Sequence, residues 1–280
     1  MILKYLLSVF LAASVVMARS EPKAVFAHFI VRITLVYHLI AGINEIQIGN
    51  AAAMTPEQWE SDIIEAQKAH IDGFALNIGP QDSYTDPVVE RAYAAAEKLG
   101  NFSLFLSFDY ASNGPWPADR VITMINMRKS SPAQFYYQGK PLVSTFEGAQ
   151  NKQDWPHIKN ATNCIFVPTW TSLGPPGIAN ALDVVDGAFS WDAWPVGAED
   201  KNTESDEAWM KALAGKPYMM PVSPWFYTNL PQWQKNWLWR GDDLWHYRWR
   251  QIMELQPSLV QVWSYYRFPV LLADIICVDY

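Results

Sequence analysis

Gly73-Phe74-Ala75-Leu76-Asn77-Ile78, a helical segment from Asp86 to Leu99 closed by Gly100, and then Phe102-Ser103-Leu104-Phe105-Leu106-Ser107-Phe108 form the stretch that decides the fold. Two short apolar runs with a helix between them predict a parallel βαβ unit, since parallel strands need a crossover connection. The same alternation runs outward in both directions. Upstream, Ala24–Val31 reads as the first strand, and a helix runs from Thr55 to about His70. That helix has Thr55 as N-cap, Pro56 at its first position and Gln58 three residues on, a helix-start signature. Downstream, a helix spans about Pro117 to Lys129, Leu142–Phe146 is strand four and a short helix lies near Asp154. Ile165–Val167, Gly187–Ser190 and Tyr218–Val222 follow as strands five to seven. A helix from about Asp242 to Leu255 leads to an eighth strand at Leu259–Val262.

Eight strands alternating with helices predict an α/β fold, a (β/α)8 TIM-type barrel. The competing doubly wound sheet lacks its glycine-rich phosphate loop after the first strand. Half of the 280 residues are apolar, 18% are charged and 14 are Trp, which excludes a disordered chain. The net charge of −7 opposes binding to nucleic acid or an anionic membrane, which need basic patches. Two Cys exclude a disulfide scaffold. Met1-Ile2-Leu3-Lys4, the apolar run Tyr5 to Val16 and Met17-Ala18 read as a signal peptide, residues 1–18, so the protein is expected to be secreted. Asn101-Phe102-Ser103 and Asn160-Ala161-Thr162 are glycosylation sequons that agree with export. Removing the leader leaves about 260 residues, close to the ~250 typical of one such barrel, so 19–280 reads as a single domain.

In such barrels the C-terminal strand ends form the mouth of the site. Here those ends present His28, Asn77, Asp109, Glu147, Trp170, Asp192 and Ser223-Pro224-Trp225. Taken singly, each is equally a helix cap or an ion-pair partner. Together they would bring three carboxylates, a histidine and several indoles to one cleft. Trp191, Trp194, Trp225 and Tyr227 add aromatic faces near the same ends, while Trp245 and Trp249, four apart on one helix, are expected to pack inward. Indoles stack on the apolar faces of sugars, and carboxylates bind the hydroxyls at the ring edge. Two carboxyl groups, one protonated and one ionised, are the minimum for cutting a glycosidic bond. No His pair has metal-ligand spacing, Cys164 reads as a buried apolar residue, and no nucleophile elbow is present, so neither metal nor cofactor is expected.

A family resemblance sharpens this. Lys23-Ala24-Val25-Phe26-Ala27-His28-Phe29-Ile30-Val31 resembles the first strand of the fungal α-1,3-glucanases (mutanases) of glycoside hydrolase family 71. Trp59-Glu60-Ser61-Asp62-Ile63, Ile71 to Gly79, Leu106-Ser107-Phe108-Asp109 and Ser144-Thr145-Phe146-Glu147-Gly148 are similar to the same family. So are Phe189-Ser190-Trp191-Asp192-Ala193-Trp194-Pro195, Pro221 to Tyr227, Lys235-Asn236-Trp237 and Gly241-Asp242-Asp243-Leu244-Trp245. The resemblance covers residues 24–31 and 49–262. It implies a secreted barrel hydrolysing α-1,3-glucan of fungal cell walls with inversion, and acting as a monomer. It implies Asp109 as a catalytic carboxylate. His28, Asn77, Glu147, Trp170, Trp191, Asp192, Trp194, Trp225 and Tyr227 would then line the glucan site.

Two segments depart from the pattern. Arg32 to Ile48 intervenes where the family runs on directly, and Val262 is followed by Trp263-Ser264-Tyr265-Tyr266-Arg267 instead of Trp-Asn-Asp-x-Gly-Glu-Ser. In the family the strand-eight Asp and Glu look like catalytic carboxylates, so only Asp109 of that set survives. The barrel is therefore expected to be incomplete at its eighth strand and helix, with exposed backbone edges, low stability and no turnover. Each segment is entered at a Val, Val31 or Val262, whose codon can supply a splice donor, and we read 32–48 and 263–280 as translated introns. Transcript sequencing should show reads that skip both segments; uninterrupted reads across Val31 and Val262 would refute this.

Overall fold

The structure, a computed structural model, describes residues 23–30, 51–112, 114–195, 199–224, 226–230, 235–239 and 241–263, with backbone only for 29–30, 226–230, 235–239 and 241–242. The signal segment 1–18, the atypical segment 32–48 and the tail beyond Trp263 lie outside the described residues. The elements alternate as the sequence requires. Strand β1 (Val25–Ile30) is followed by α1 (Pro56–Lys68), β2 (Gly73–Ile78), α2 (Thr85–Leu99), β3 (Ser103–Asp109) and α3 (Ala118–Arg128). A two-residue strand β4 (Tyr136–Tyr137) precedes β5 (Lys140–Phe146), α4 (Trp155–Thr162), β6 (Ile165–Phe166), α5 (Gly174–Ala179), β7 (Ala188–Phe189) and α6 (Glu204–Ala212). Then come β8 (Tyr218–Val222), the hairpin β9 (Phe226–Leu230) and β10 (Lys235–Trp239), α7 (Gly241–Leu255) and β11 (Leu259–Val262).

Local chemistry explains the ends of these elements. Thr55 and Gln58 form a reciprocal capping box at the start of α1. Gly100, at φ 69°, ends α2 in a conformation that glycine adopts without strain. Three pieces lie outside the elements expected from the sequence. The Gly-Pro-Pro-Gly start of α5 looks like a turn, yet Pro175 and Pro176 are tolerated in the first turn, because N–H groups there have no partner within the helix. Glu204–Ala212 adds a helix, whose first turn is stabilised by three acidic residues. The Pro-flanked stretch after β8, where no strand is expected, contains β9, paired antiparallel with β10.

The sheet order β5-β3-β2-β1-β11-β8-β7, with β6 on the far side of β5, is that of a barrel. β1 pairs parallel with both β2 and β11, and β11 pairs parallel with β8. The backbone of β11 is thus bonded along both sides. The barrel is incomplete in that no helix follows β11 among the described residues. Between β6 and β7 the ring is bridged by Asp186 N donating to Phe166 O (2.8 Å) and Phe189 N donating to Pro168 O (3.0 Å).

Alternation along each strand sorts side chains inward or outward. Phe26, Ala75, Phe105, Leu142, Ile165, Phe189, Met219 and Leu259, one from each of the eight parallel strands, form the inner apolar layer. Phe135, just before β4, packs edge-on against Phe26 with centroids 4.6 Å apart and fills the N-terminal end. The outward residues meet the helices in a second, larger core containing Trp59, Tyr93, Trp155 and Trp209, against which Trp245 and Trp249 pack as expected. Gly73 sits where β2 crosses β3 and Phe26; an added Cβ would stand 2.1 Å from the Ser103 carbonyl oxygen. Gly73→Ala should therefore force the two strands apart and destabilise the fold by about 1–3 kcal/mol, read as a lower denaturation midpoint.

Candidate active site

Two residues beyond the inner apolar layer, the same alternation delivers polar groups. On β1 and β2 these are His28 and Asn77, on β3 Ser107 and then Asp109, and on β11 Gln261. All five are buried. Asp109 Oδ1 accepts from the backbone N–H groups of Ala111 (2.9 Å) and Ser112 (3.0 Å), which fixes the carboxylate on its turn. Its Oδ2 lies 3.4 Å from Asn77 Nδ2, and Ser107 Oγ lies 3.4 Å from Asn77 Oδ1. Asn77 thereby orients Asp109 and is itself held by Ser107. Gln261 Nε2 approaches His28 Nδ1 at 3.0 Å, an arrangement in which the amide donates and the ring proton sits on Nε2. Burial pushes the His28 pKa from 6.5 down to about 3, so the ring is neutral across the physiological range.

Trp191 occupies the centre of this mouth. Its ring meets His28 edge-on at 4.9 Å, Phe146 at 4.9 Å and Trp263 at 5.1 Å, and Trp263 in turn meets Trp194 at 4.7 Å. The Trp191 backbone is left-handed, with φ 61°, a conformation that a bulky residue adopts only when its surroundings impose it. Beside it opens a cleft of about 330 Å³ lined by Thr171, Gly174, Pro175, Ser190, Trp191, Asp192, Trp194, Ser205 and Trp209.

Of the residues expected at the site, His28, Asn77 and Asp109 come together, and Trp191, Asp192 and Trp194 line the adjoining cleft. Asp192 is bound to Lys201 at 2.7 Å. Glu147, also left-handed at φ 53°, turns to the rim and accepts from the backbone N–H (3.0 Å) and hydroxyl of Ser172. Trp170 is not delivered to the mouth. It follows Thr169, so alternation turns it outward, where it is fully buried in the helix-facing core 5.6 Å from Phe166. Trp225 lies outside the described residues, and Tyr227 is described only as backbone in β9. The expectation missed Gln261 and Ser107, both legible as lone polar residues at inward positions of apolar strands. It missed Lys201 for a physical reason: a loop lysine carries no periodic signal.

These features define a parallel (β/α)8 barrel with an indole-rich mouth at the C-terminal end of its strands. The chain belongs to glycosyl hydrolase family 71, which matches residues 21–268. It is 36% identical over 259 residues to a mutanase of Penicillium rubens, covering 89% of this chain and 52% of that protein. It is 35% identical over 277 residues to a glucan endo-1,3-alpha-glucosidase of Schizosaccharomyces pombe, covering 92% of this chain and 60% of the relative. The chain thus spans about half the length of the curated relatives it matches. Among solved structures, a family 99 endo-alpha-mannosidase of Bacteroides thetaiotaomicron superposes with a TM-score of 0.65 at 14% identity, covering 87% of this chain and 85% of that one. At that identity the likeness speaks for the barrel alone.

The neutral His28 has a measurable consequence. The unfolded chain takes up a proton near pH 6.5 and the folded chain only near pH 3. Its contribution to stability is complete above pH 6.5 and is lost as pH falls from there toward 3. Relative to His28→Gln, the wild-type chain should lose about 2 kcal/mol more between pH 7 and pH 5 in chemical denaturation.

Proposed function

We propose that this chain derives from a secreted, monomeric glycoside hydrolase that cleaves α-1,3-glucosidic bonds of fungal cell-wall glucan with inversion. The observation that carries the reading is the placement of Asp109, oriented by Asn77, in the same ring of strand ends as the Trp191 indole against His28. A glucosyl ring stacked on an indole leaves its edge hydroxyls to carboxylate and amide groups, and Asp109 and Asn77 supply both. An inverting reaction needs a second carboxyl group roughly 6.5–9.5 Å from the first, one protonating the leaving oxygen and the other activating water. In the family pattern the strand-eight Asp and Glu carry that role, and this chain has Ser264-Tyr265 after Trp263.

A second reading follows from the other acids of the mouth: a glucan-binding protein without turnover. Glu147 accepts from Ser172 and Asp192 pairs with Lys201, contacts that suit both acids to holding the mouth and its hydroxyl ligands. Recognition survives on the indoles, while hydrolysis is lost with the second carboxyl group. The purified chain should sediment with insoluble α-1,3-glucan and not with cellulose, and Trp191→Ala should weaken that binding about tenfold or more. Reducing-sugar release should fall about 10²–10⁴-fold below that of a full-length family member. Undiminished release would overturn the loss of catalysis; failure to bind would overturn the glucan assignment.

A further inference from the structure

Behind the cleft, polar groups form one continuous path that is fully buried at its centre and partly buried toward Lys201 and Asp192. Asp206 on α6 and Arg248 on α7 pair with Nη1 to Oδ2 at 2.9 Å and Nη2 to Oδ1 at 3.2 Å, and Nη2 also donates to the Pro221 carbonyl (2.8 Å). Tyr218 Oη donates to Asp206 Oδ1 at 2.8 Å and lies 2.8 Å from Ser190 Oγ. Ser190, Asp206, Tyr218 and Arg248 are each 2% exposed or less. An ionised carboxylate only accepts, so Tyr218 must donate to Asp206, and Ser190 must then donate to the Tyr218 oxygen. That leaves Ser190 Oγ as acceptor toward the Asp192 N–H, 3.5 Å away. From the other end, Arg248 Nη1 donates to Gln251 Oε1 (2.6 Å), Gln251 Nε2 donates to the Lys201 carbonyl (2.5 Å), and Lys201 Nζ holds Asp192 (2.7 Å). The path therefore starts and ends on the segment that carries Trp191, Asp192 and Trp194.

The left-handed backbone of Trp191 needs such a hold, since the bulky residue relaxes out of that conformation when free. The geometry points to Asp206, Tyr218 and Arg248 as positioning residues of the sugar cleft. Through Ser190 they keep the Trp191 backbone left-handed and its indole across the mouth. None of the three touches substrate. Burial and the neighbouring Asp206 carboxylate hold the Tyr218 hydroxyl protonated far above neutral pH, so the direction of its hydrogen bonds does not change in the working range.

This inference rests on the carbohydrate reading above, and its test separates the two. Tyr218→Phe and Ser190→Ala each remove one hydroxyl of the path and leave the Arg248–Asp206 pair in place. Tyr93→Phe is the control: its hydroxyl is equally buried and bonded to Gln134 Oε1 at 2.8 Å, away from the path. Binding of a linear α-1,3-gluco-oligosaccharide to the full chain should weaken about tenfold in each of the first two variants, as expected when a buried polar partner is orphaned. The double variant should bind no more weakly than either single one, because both cut the same path. In the long-wavelength tryptophan band, where tyrosine does not contribute, near-ultraviolet circular dichroism should change in these variants and not in Tyr93→Phe, and the change should vanish in a Trp191→Phe background. Wild-type binding and an unaltered near-ultraviolet spectrum in Ser190→Ala would overturn the inference, and that variant alone decides should Tyr218→Phe fail to fold. Should the wild-type chain bind no α-1,3-oligosaccharide, the carbohydrate reading falls, and the spectral comparison alone decides whether the path positions Trp191.

Discussion

The closure of the parallel sheet, with β1 hydrogen-bonded to β11 on one side and β2 on the other, is the constraint on which the remaining structure depends. An eight-stranded barrel has an interior just wide enough to be filled by side chains, so every second residue of every strand competes for one space. Near the N-terminal end the competition selects apolar groups: Phe26, Phe105 and Phe189 fill it, with Phe135 as the plug. One step along β1, β2, β3 and β11, the interior turns polar while remaining buried. His28, Asn77, Ser107 and Gln261 are buried there, and each finds a partner in the same ring. Burying such groups without partners would cost several kcal/mol, so the ring holds together or not at all.

That pairing fixes the electrostatics of the mouth. A neutral His28 brings a dipole and no charge to the mouth. Among the described residues, Lys201 brings a positive charge to the cleft and is paired with Asp192. Among the described residues, the surroundings of Trp191 thus combine aromatic faces with the Asp109–Asn77 pair on one side and the Asp192–Lys201 pair on the other.

The fold was legible because its signal is redundant. Tyr218–Val222 and Leu259–Val262 match the structure residue for residue, and α1 starts where its capping box requires. Redundancy fails where an element is short or its composition misleads, as in α5 with its opening Gly-Pro-Pro-Gly or in the hairpin after β8. The site was legible to the extent that it follows strand alternation. His28, Asn77 and Asp109 face inward by register, whereas Trp170 was placed by proximity to a strand end and one step of alternation sent it to the outer core. Glu147 shows a different limit: its left-handed backbone turns the side chain to Ser172, and no local pattern announces that.

The buried Arg248–Asp206 pair remains the least expected feature in energetic terms. Desolvating two charges offsets most of their attraction, and a well-packed apolar pair of similar volume often stabilises a core as much or more. Here the pair does what apolar side chains cannot. The carboxylate sets the direction of the Tyr218 and Ser190 hydroxyls, and the guanidinium ties the Pro221 carbonyl of β8 to the same point. Two helices and the ends of two strands are thereby locked in one register directly behind the cleft. Breaking such a pair costs about 3–5 kcal/mol, because the surviving charge is left buried, so alternative packings of this wall are strongly disfavoured. An aromatic platform tolerates little tilt before it loses contact with a flat ligand, and a wall with a single low-energy arrangement is what such a platform requires.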